Sequence, residues 1–282
     1  MNRTKLFGLA LLAALALGAL TGASASASAP EFGRCLKKAA KSLTPGSYDN
    51  AKCVKEASED AGTEAEKLKK GNWEWIPGAL AGHNAFTISG GAVTLQTVAG
   101  KTITCESEKG EGEYDLDNAK RLTGIVLEMQ GCHGSKCVAS SNGHGPGELV
   151  FNELAGEVGF REASRGTTAL KLEPGASAGG IFIEFECVGI EVDMRGKGGA
   201  EGEGILVPIR NDAMISANTL KFKAGTSMAA KGVQKPVMWE GTPAETYMEM
   251  NFQHLGWEQA GWTSETTLTN DEAFKYELNR VL

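Results

Sequence analysis

The sequence predicts a mainly β protein, an antiparallel sandwich or barrel-like domain preceded by a small disulfide-linked helical N-terminal segment. Three observations carry this. Beyond Ile76 the apolar residues recur at every second position, as on strands with one buried and one solvated face. The strands so marked are short and divided by Gly, Asn, Asp or Pro, in a chain with 37 glycines against 8 prolines, which suits many tight turns. Residues 30–75 have a different texture, charged and alanine-rich, with helix-favouring runs at 34–43 and 50–69.

The elements follow in chain order. Arg3 and Lys5 precede an uncharged apolar run at 6–20 and a small-residue stretch, TGASASASA. This is the pattern of a secretory signal peptide, and the run is shorter than the ~20 apolar residues a spanning helix needs. Pro30 disfavours cleavage after Ala29, so residues 1–27 are assigned as the signal peptide, with cleavage after Ala27 or Ala25. The helical, Cys-bridged segment then occupies 28–76 and a single β-rich domain 77–282. In that domain Ile103 and Cys105 share a face in KTITCES. Ile181, Ile183, Phe185 and Cys187 share one in IFIEFEC, and Ile190, Val192 and Met194 in IEVDM. Met248, Met250 and Phe252 align in YMEMNF, and Phe274, Tyr276 and Leu278 in FKYEL. No βαβ rhythm is present.

Export sets the reading of the six cysteines, because thiols outside the cytoplasm pair. Cys35 and Cys53 are expected to join across the turn of the N-terminal segment, worth roughly 3 kcal/mol in the chain-entropy model. Cys105 and Cys187 fall on apolar strand faces and are expected to bridge the core. Cys132 and Cys137 then close a local loop in GCHGSKCVASSNGHGPG. That stretch also offers a zinc set, Cys132, His133, Cys137 and His144, but its spacing is poor and no H-x3–5-H pair occurs. No metal and no cofactor are therefore expected.

Charge narrows the partners. Loss of residues 1–27 removes two bases and no acid, leaving 26 Lys and Arg against 35 Asp and Glu, a net charge of −9. Nucleic acid and anionic lipid both want basic patches, so neither is expected. No membrane span remains after signal cleavage.

A series of landmarks runs along the chain: PEFGRC at 30–35, NWEWIPG at 72–78, GGAVTLQTVAGKTITCES at 90–107 and GEGEY at 110–114. GC at 131–132, GELVFNELAGEVG at 147–159, FIEFEC at 182–187 and ILVPI at 205–209 continue it. Their order resembles an uncharacterised family of secreted proteins from soil actinobacteria. The resemblance implies an exported, cysteine-containing, β-rich protein. It carries over no catalytic residue.

Catalytic motifs are weak. GTSMA at 225–229 resembles the serine motif of subtilisin-like proteases, with Ser227 as nucleophile and Asp60 and His144 completing the order. The proline expected after the methionine is missing, the aspartate reads Asp60-Ala61-Gly62, and His144 is followed by Gly145 and Pro146. A triad is defined by geometry rather than by such a match. No G-x-S-x-G is present, and RGKGGAEGEG at 195–204 reads as a hairpin loop rather than a phosphate cradle. The acids of ESEKGEGEYDLD, Glu106, Glu108, Glu111, Glu113, Asp115 and Asp117, read as a solvated hairpin face. Glu184 and Glu186, on the outer side of IFIEFEC, are the better carboxylate pair to test for glycoside hydrolysis, but they read first as the polar face of a half-exposed sheet. Late in the chain Trp239, Tyr247, Trp257 and Trp262 could stack sugar rings, contact a protein partner, or close the core. The sequence favours an exported, non-catalytic β module that binds cell-envelope polysaccharide or a protein partner, secreted or held at the envelope. A secreted hydrolase using Ser227 or a carboxylate pair is the alternative.

Overall fold

A computed structural model describes residues 30–39, 45–57, 71–162, 167–199, 204–209, 216–224, 238–244, 247–271 and 277–278. These residues are mainly β, and every strand pairing is antiparallel. No α-helix occurs among them; the helical turns are two short 3₁₀ pieces, Ala176–Ala178 and Lys197–Gly199.

Two curled sheets are joined by one long strand, β19 (Trp257–Asn270). The first contains β3 (Ala85–Gly90), β6 (Ser107–Tyr114), β7 (Arg121–Gln130), β10 (Leu154–Glu162), β11 (Thr167–Pro174), β14 (Ile205–Ile209) and β15 (Ala217–Phe222). Its order is β14-β11-β10-β7-β6-β3-β19-β15, with short β9 (Leu149–Val150) added to β7. The sheet curls until β14 lies against β15. The second contains β4 (Val93–Thr97), β5 (Thr102–Cys105), β8 (Ala139–Ser140), β12 (Ile181–Cys187), β13 (Glu191–Gly196) and β18 (Met248–Phe252). Its order is β8-β12-β13-β18-β19-β4-β5. Residues 257–263 of β19 belong to the second sheet and 264–270 to the first.

The alternation read from the sequence positions this core. Ile103, Cys105, Ile183, Phe185, Val192, Met194, Met248 and Met250 are all buried. Along β19 the even-numbered residues from Ala260 to Asn270 are buried as well, so one face of the strand serves both sheets. Trp262 sits where the sheets meet. Its ring stacks on Phe222 at 4.3 Å and lies 5.4 Å from Phe151.

The N-terminal segment departs from the helical expectation. The start of the 34–43 run is strand β1 (Phe32–Lys37), between β2 (Trp73–Pro77) and β20 (Glu277–Leu278). Residues 50–57 form turns, with Tyr48 bridged to Glu56, while 58–70 lie outside the described residues. Helix propensity is a weak prior. Here pairing of Arg34–Lys37 with β2 and the Cys35–Cys53 disulfide override it. Phe32 is buried and packs edge-on against Tyr114 at 5.0 Å, tying this segment to the first sheet.

The expected Cys35–Cys53 bridge is present, but the other two pairings are corrected: Cys105 joins Cys132 and Cys137 joins Cys187. Residues 132–139 form a hairpin, with His133 bridged to Val138, inserted between β5 and β12. On one side Thr104 bridges His133, which sets Cys105 opposite Cys132. On the other, Ala139 pairs with Cys187. Cys105 and Cys187 therefore flank the hairpin rather than each other. A Cβ on Gly134 would stand 2.9 Å from the Cys137 sulfur, so the glycine leaves room for the second bridge. The hairpin completes the curl of the second sheet, and the two disulfides fasten both of its sides.

Exposure separates these bonds. Cys105 and Cys132 are fully buried, whereas Cys137 and Cys187 are only partly so. Thiol–disulfide exchange requires access to a sulfur, so mild reduction is expected to open Cys137–Cys187 first. Mass mapping after timed reduction and alkylation should show Cys137 and Cys187 modified well before Cys105 and Cys132. Early alkylation of Cys105, or a Cys132–Cys137 peptide in the unreduced protein, would contradict this topology.

Candidate functional site

Four turns crown one end of the second sheet, and strand register places them together. The β4–β5 turn spans 98–101, the inserted hairpin turns at 134–137, the β12–β13 turn spans 188–190 and the β18–β19 turn 253–256. Gln253 donates its N–H to Glu191, and Val98 donates to Gln259, so neighbouring turns are linked through their backbones. The Cys137–Cys187 disulfide ties a third pair. Three residues mark the tightness of these turns: Val188, Gln253 and His254 all have positive φ, between 51° and 57°, a region costly for residues with a Cβ.

The crown carries a cluster of exposed apolar side chains among polar ones, Lys101, Lys136, Gln253 and His254 being exposed there too. Among the described residues eight large hydrophobic side chains are exposed, and five of them lie on it: Leu255, Val188, Val138, Val98 and Ile190. Leu255 is 84 % exposed and Val188 72 %. Scattered exposed apolar residues need no explanation, but five gathered on turns at one end of a sheet do. Polar groups rim it. Lys101 Nζ lies 2.6 Å from Glu258 Oε1 and 4.2 Å from the Phe252 ring centroid. The hydrogen bond from Lys101 holds the Glu258 carboxyl below its ordinary range.

Beneath the crown runs the outer face of the second sheet. Trp257, next to the β18–β19 turn, carries the Arg195 guanidinium over its ring at 3.7 Å, and Arg195 Nε donates to Glu249 Oε2 at 2.8 Å. Tyr247 has Lys197 Nζ at 5.6 Å from its ring. Of the four aromatics expected to bind, then, Trp257 and Tyr247 share this sheet. Trp239, in the small hairpin of β16 (Met238–Trp239) and β17 (Thr242–Pro243), instead leans on β10 of the first sheet, with Lys171 Nζ 5.9 Å from its ring. Trp262 is 1 % exposed and belongs to the core.

The carboxylates and the metal candidates can now be placed. Glu184 and Glu186 are exposed on the outer face, directly opposite Asp193 and Glu191. Both cysteines of the zinc set are consumed in disulfides, and His133 and His144 are exposed. No group of three or more potential metal ligands occurs among the described residues. Asp60 and Ser227 lie outside the described residues.

One residue inside the first sheet departs from the sequence expectation. Glu108 is not on a solvated face; it is 2 % exposed and points inward with Tyr114, whereas Glu111 and Glu113 are exposed. The signal was parity: Glu108 and Tyr114 stand an even number of positions apart on one strand. A donor chain ends on it. Trp262 Nε1 donates to Ser264 Oγ at 3.0 Å, Ser264 Oγ lies 3.2 Å from Thr266 Oγ1, and the Thr266 hydroxyl donates to Glu108 Oε1. Burial pushes the Glu108 carboxyl above its ordinary range, against the lowering effect of the Thr266 and Ser264 hydroxyls.

No protein-family model, curated protein or solved structure matches the chain.

Proposed function

We propose that this chain is an exported, non-catalytic β module that binds a protein partner through the crown of turns on its second sheet. The observation that carries the reading is that five of the eight exposed large apolar side chains among the described residues lie at this one end of the second sheet. Exposed apolar groups with a polar rim mark protein–protein contact, and Trp and Arg, here stacked as Trp257 and Arg195, are enriched among residues that dominate such contacts. The crown favours a protein over a glycan, because the exposed groups are aliphatic rather than bare aromatic platforms and the nearby Trp257 face is covered by Arg195. Export is supported by three disulfides, which fit an oxidising, extracellular compartment. It is also supported by the signal-like residues 1–27, which lie outside the described residues. No helix among the described residues is long and apolar enough to cross a membrane. The likeness to secreted actinobacterial proteins belongs to the same proposal.

The test is capture from detergent-solubilised cell envelope by the purified, oxidised protein and by a Leu255→Asp, Val188→Asp double variant. Both side chains are exposed, so Tm should move by no more than a degree or two, since surface changes stay within about 0.5 kcal/mol. Partner capture should fall at least tenfold, as expected for residues at the centre of an interface. Equal capture by both proteins, or retention by purified envelope polysaccharide in place of protein, would overturn the assignment.

A further inference from the structure

We propose that the interior of the first sheet is a proton-binding site, in which Glu108 takes up a proton as the chain folds. The geometry carries this. Glu108 is 2 % exposed and its Oε1 is engaged by Thr266, but Oε2 has no hydrogen-bond partner among the described residues. A buried carboxylate with one oxygen unpaired keeps a charge out of water with little in return, and such a group neutralises instead. Its surroundings offer no countercharge among the described residues. The enclosed space beside it is about 20 Å³, room for about one water, and too small for a solvated ion. The lining from β3, β7, β10, β11, β15 and β19 is Phe, Ile, Leu and Trp beside Thr266, with the Ser264 hydroxyl 3.2 Å from that of Thr266.

No charged group among the described residues faces Glu108 from any packed element. β3 presents Phe86, Ile88 and Gly90, and a Cβ on Gly90 would collide with the Glu108 carboxyl. β7 presents Leu127 and Met129, the latter directly paired with Glu108. β19 presents Ser264, Thr266 and Leu268, and β15 presents Leu220 and Phe222. Tyr114, the other titratable residue on the inner face of β6, donates its hydroxyl to Asn270 at 2.6 Å. The neighbouring Lys109 is on the outer face, 2.9 Å from Glu128.

The consequence runs opposite to that of a salt-bridged acid. In the unfolded chain Glu108 titrates at its ordinary value of 4.5, and in the folded chain it titrates higher. Between the two values the folded state holds the extra proton. The contribution of this site is therefore fully present below the unfolded value and is lost as pH rises through the folded one.

The test compares the unfolding equilibrium constants of the parent and Glu108→Gln by urea denaturation across pH 4 to 9. The ratio of parent to variant should rise with pH by up to about tenfold per pH unit, the limit for one proton, and then level off. Thr266→Val keeps the acid but removes the hydroxyl that favours its charged form, so its rise relative to the parent should extend to higher pH. A parent-to-Gln ratio that stays flat from pH 4 to 9 would overturn the proposal. If Glu108→Gln does not fold, Thr266→Val decides: its failure to move the levelling point upward would equally overturn it.

Discussion

Trp262→Ala is expected to lower stability by about 3–5 kcal/mol, the range for deleting a large buried aromatic side chain. Trp262 is 1 % exposed at the junction of the two sheets, and its ring stacks on Phe222 with planes 5° apart. The substitution removes that stack, opens a cavity between two sheets that share β19, and leaves the Ser264 hydroxyl without its indole donor. Trp262→Phe keeps most of the ring and loses the donor, and it should cost clearly less. Urea titration of both variants reads the difference. Equal destabilisation would mean that the Nε1 hydrogen bond, and not ring packing, carries the effect.

The second large effect is expected from Cys105→Ala, Cys132→Ala. This pair is fully buried and directly cross-strand. Removal of a native disulfide typically costs about 2–5 kcal/mol. The partly exposed Cys137–Cys187 pair closes a longer loop, with a separation of 50 residues against 27. Loop entropy alone would therefore rank it slightly higher, by less than about 1 kcal/mol. Packing argues the reverse order: Cys105 and Cys132 both belong to the buried core, and alanine there leaves unfilled volume at both positions. Paired thermal melts of Cys105→Ala, Cys132→Ala and Cys137→Ala, Cys187→Ala decide it. The buried pair should show the larger fall in Tm; a larger fall for the exposed pair would mean that chain entropy outweighs packing.

The β character and much of the core were legible because alternation is a local signal. Ile103 with Cys105, Ile183 with Phe185, and Met248 with Met250 each need only their own strand to be read. Three features needed more than one strand. The disulfide partners depended on a hairpin lying between β5 and β12, a register that spacing along the chain does not encode. The segment at 34–37 has helix-forming composition, but its strand partner is supplied by residues 73–76. Glu108 was hidden by its chemistry, since an acid among acids reads as surface even when its parity matches a buried tyrosine. The proposed binding surface was half legible. Trp257 and Tyr247 were singled out by residue type, whereas Leu255, Val188 and Val138 gained meaning only when turns distant in sequence met at one end of the sheet.

The proposal that this crown is the binding surface is tested most directly by placing a photo-crosslinking amino acid at Leu255, at Val188 and, as a control, at Lys221. Lys221 is exposed on β15 of the first sheet, so it reports contact away from the crown. Each oxidised protein is irradiated with envelope fractions and its adducts identified by mass. One shared protein adduct is expected from Leu255 and Val188, and none from Lys221. Adducts of equal yield from all three positions, or none from the crown, would show that the partner does not dock there.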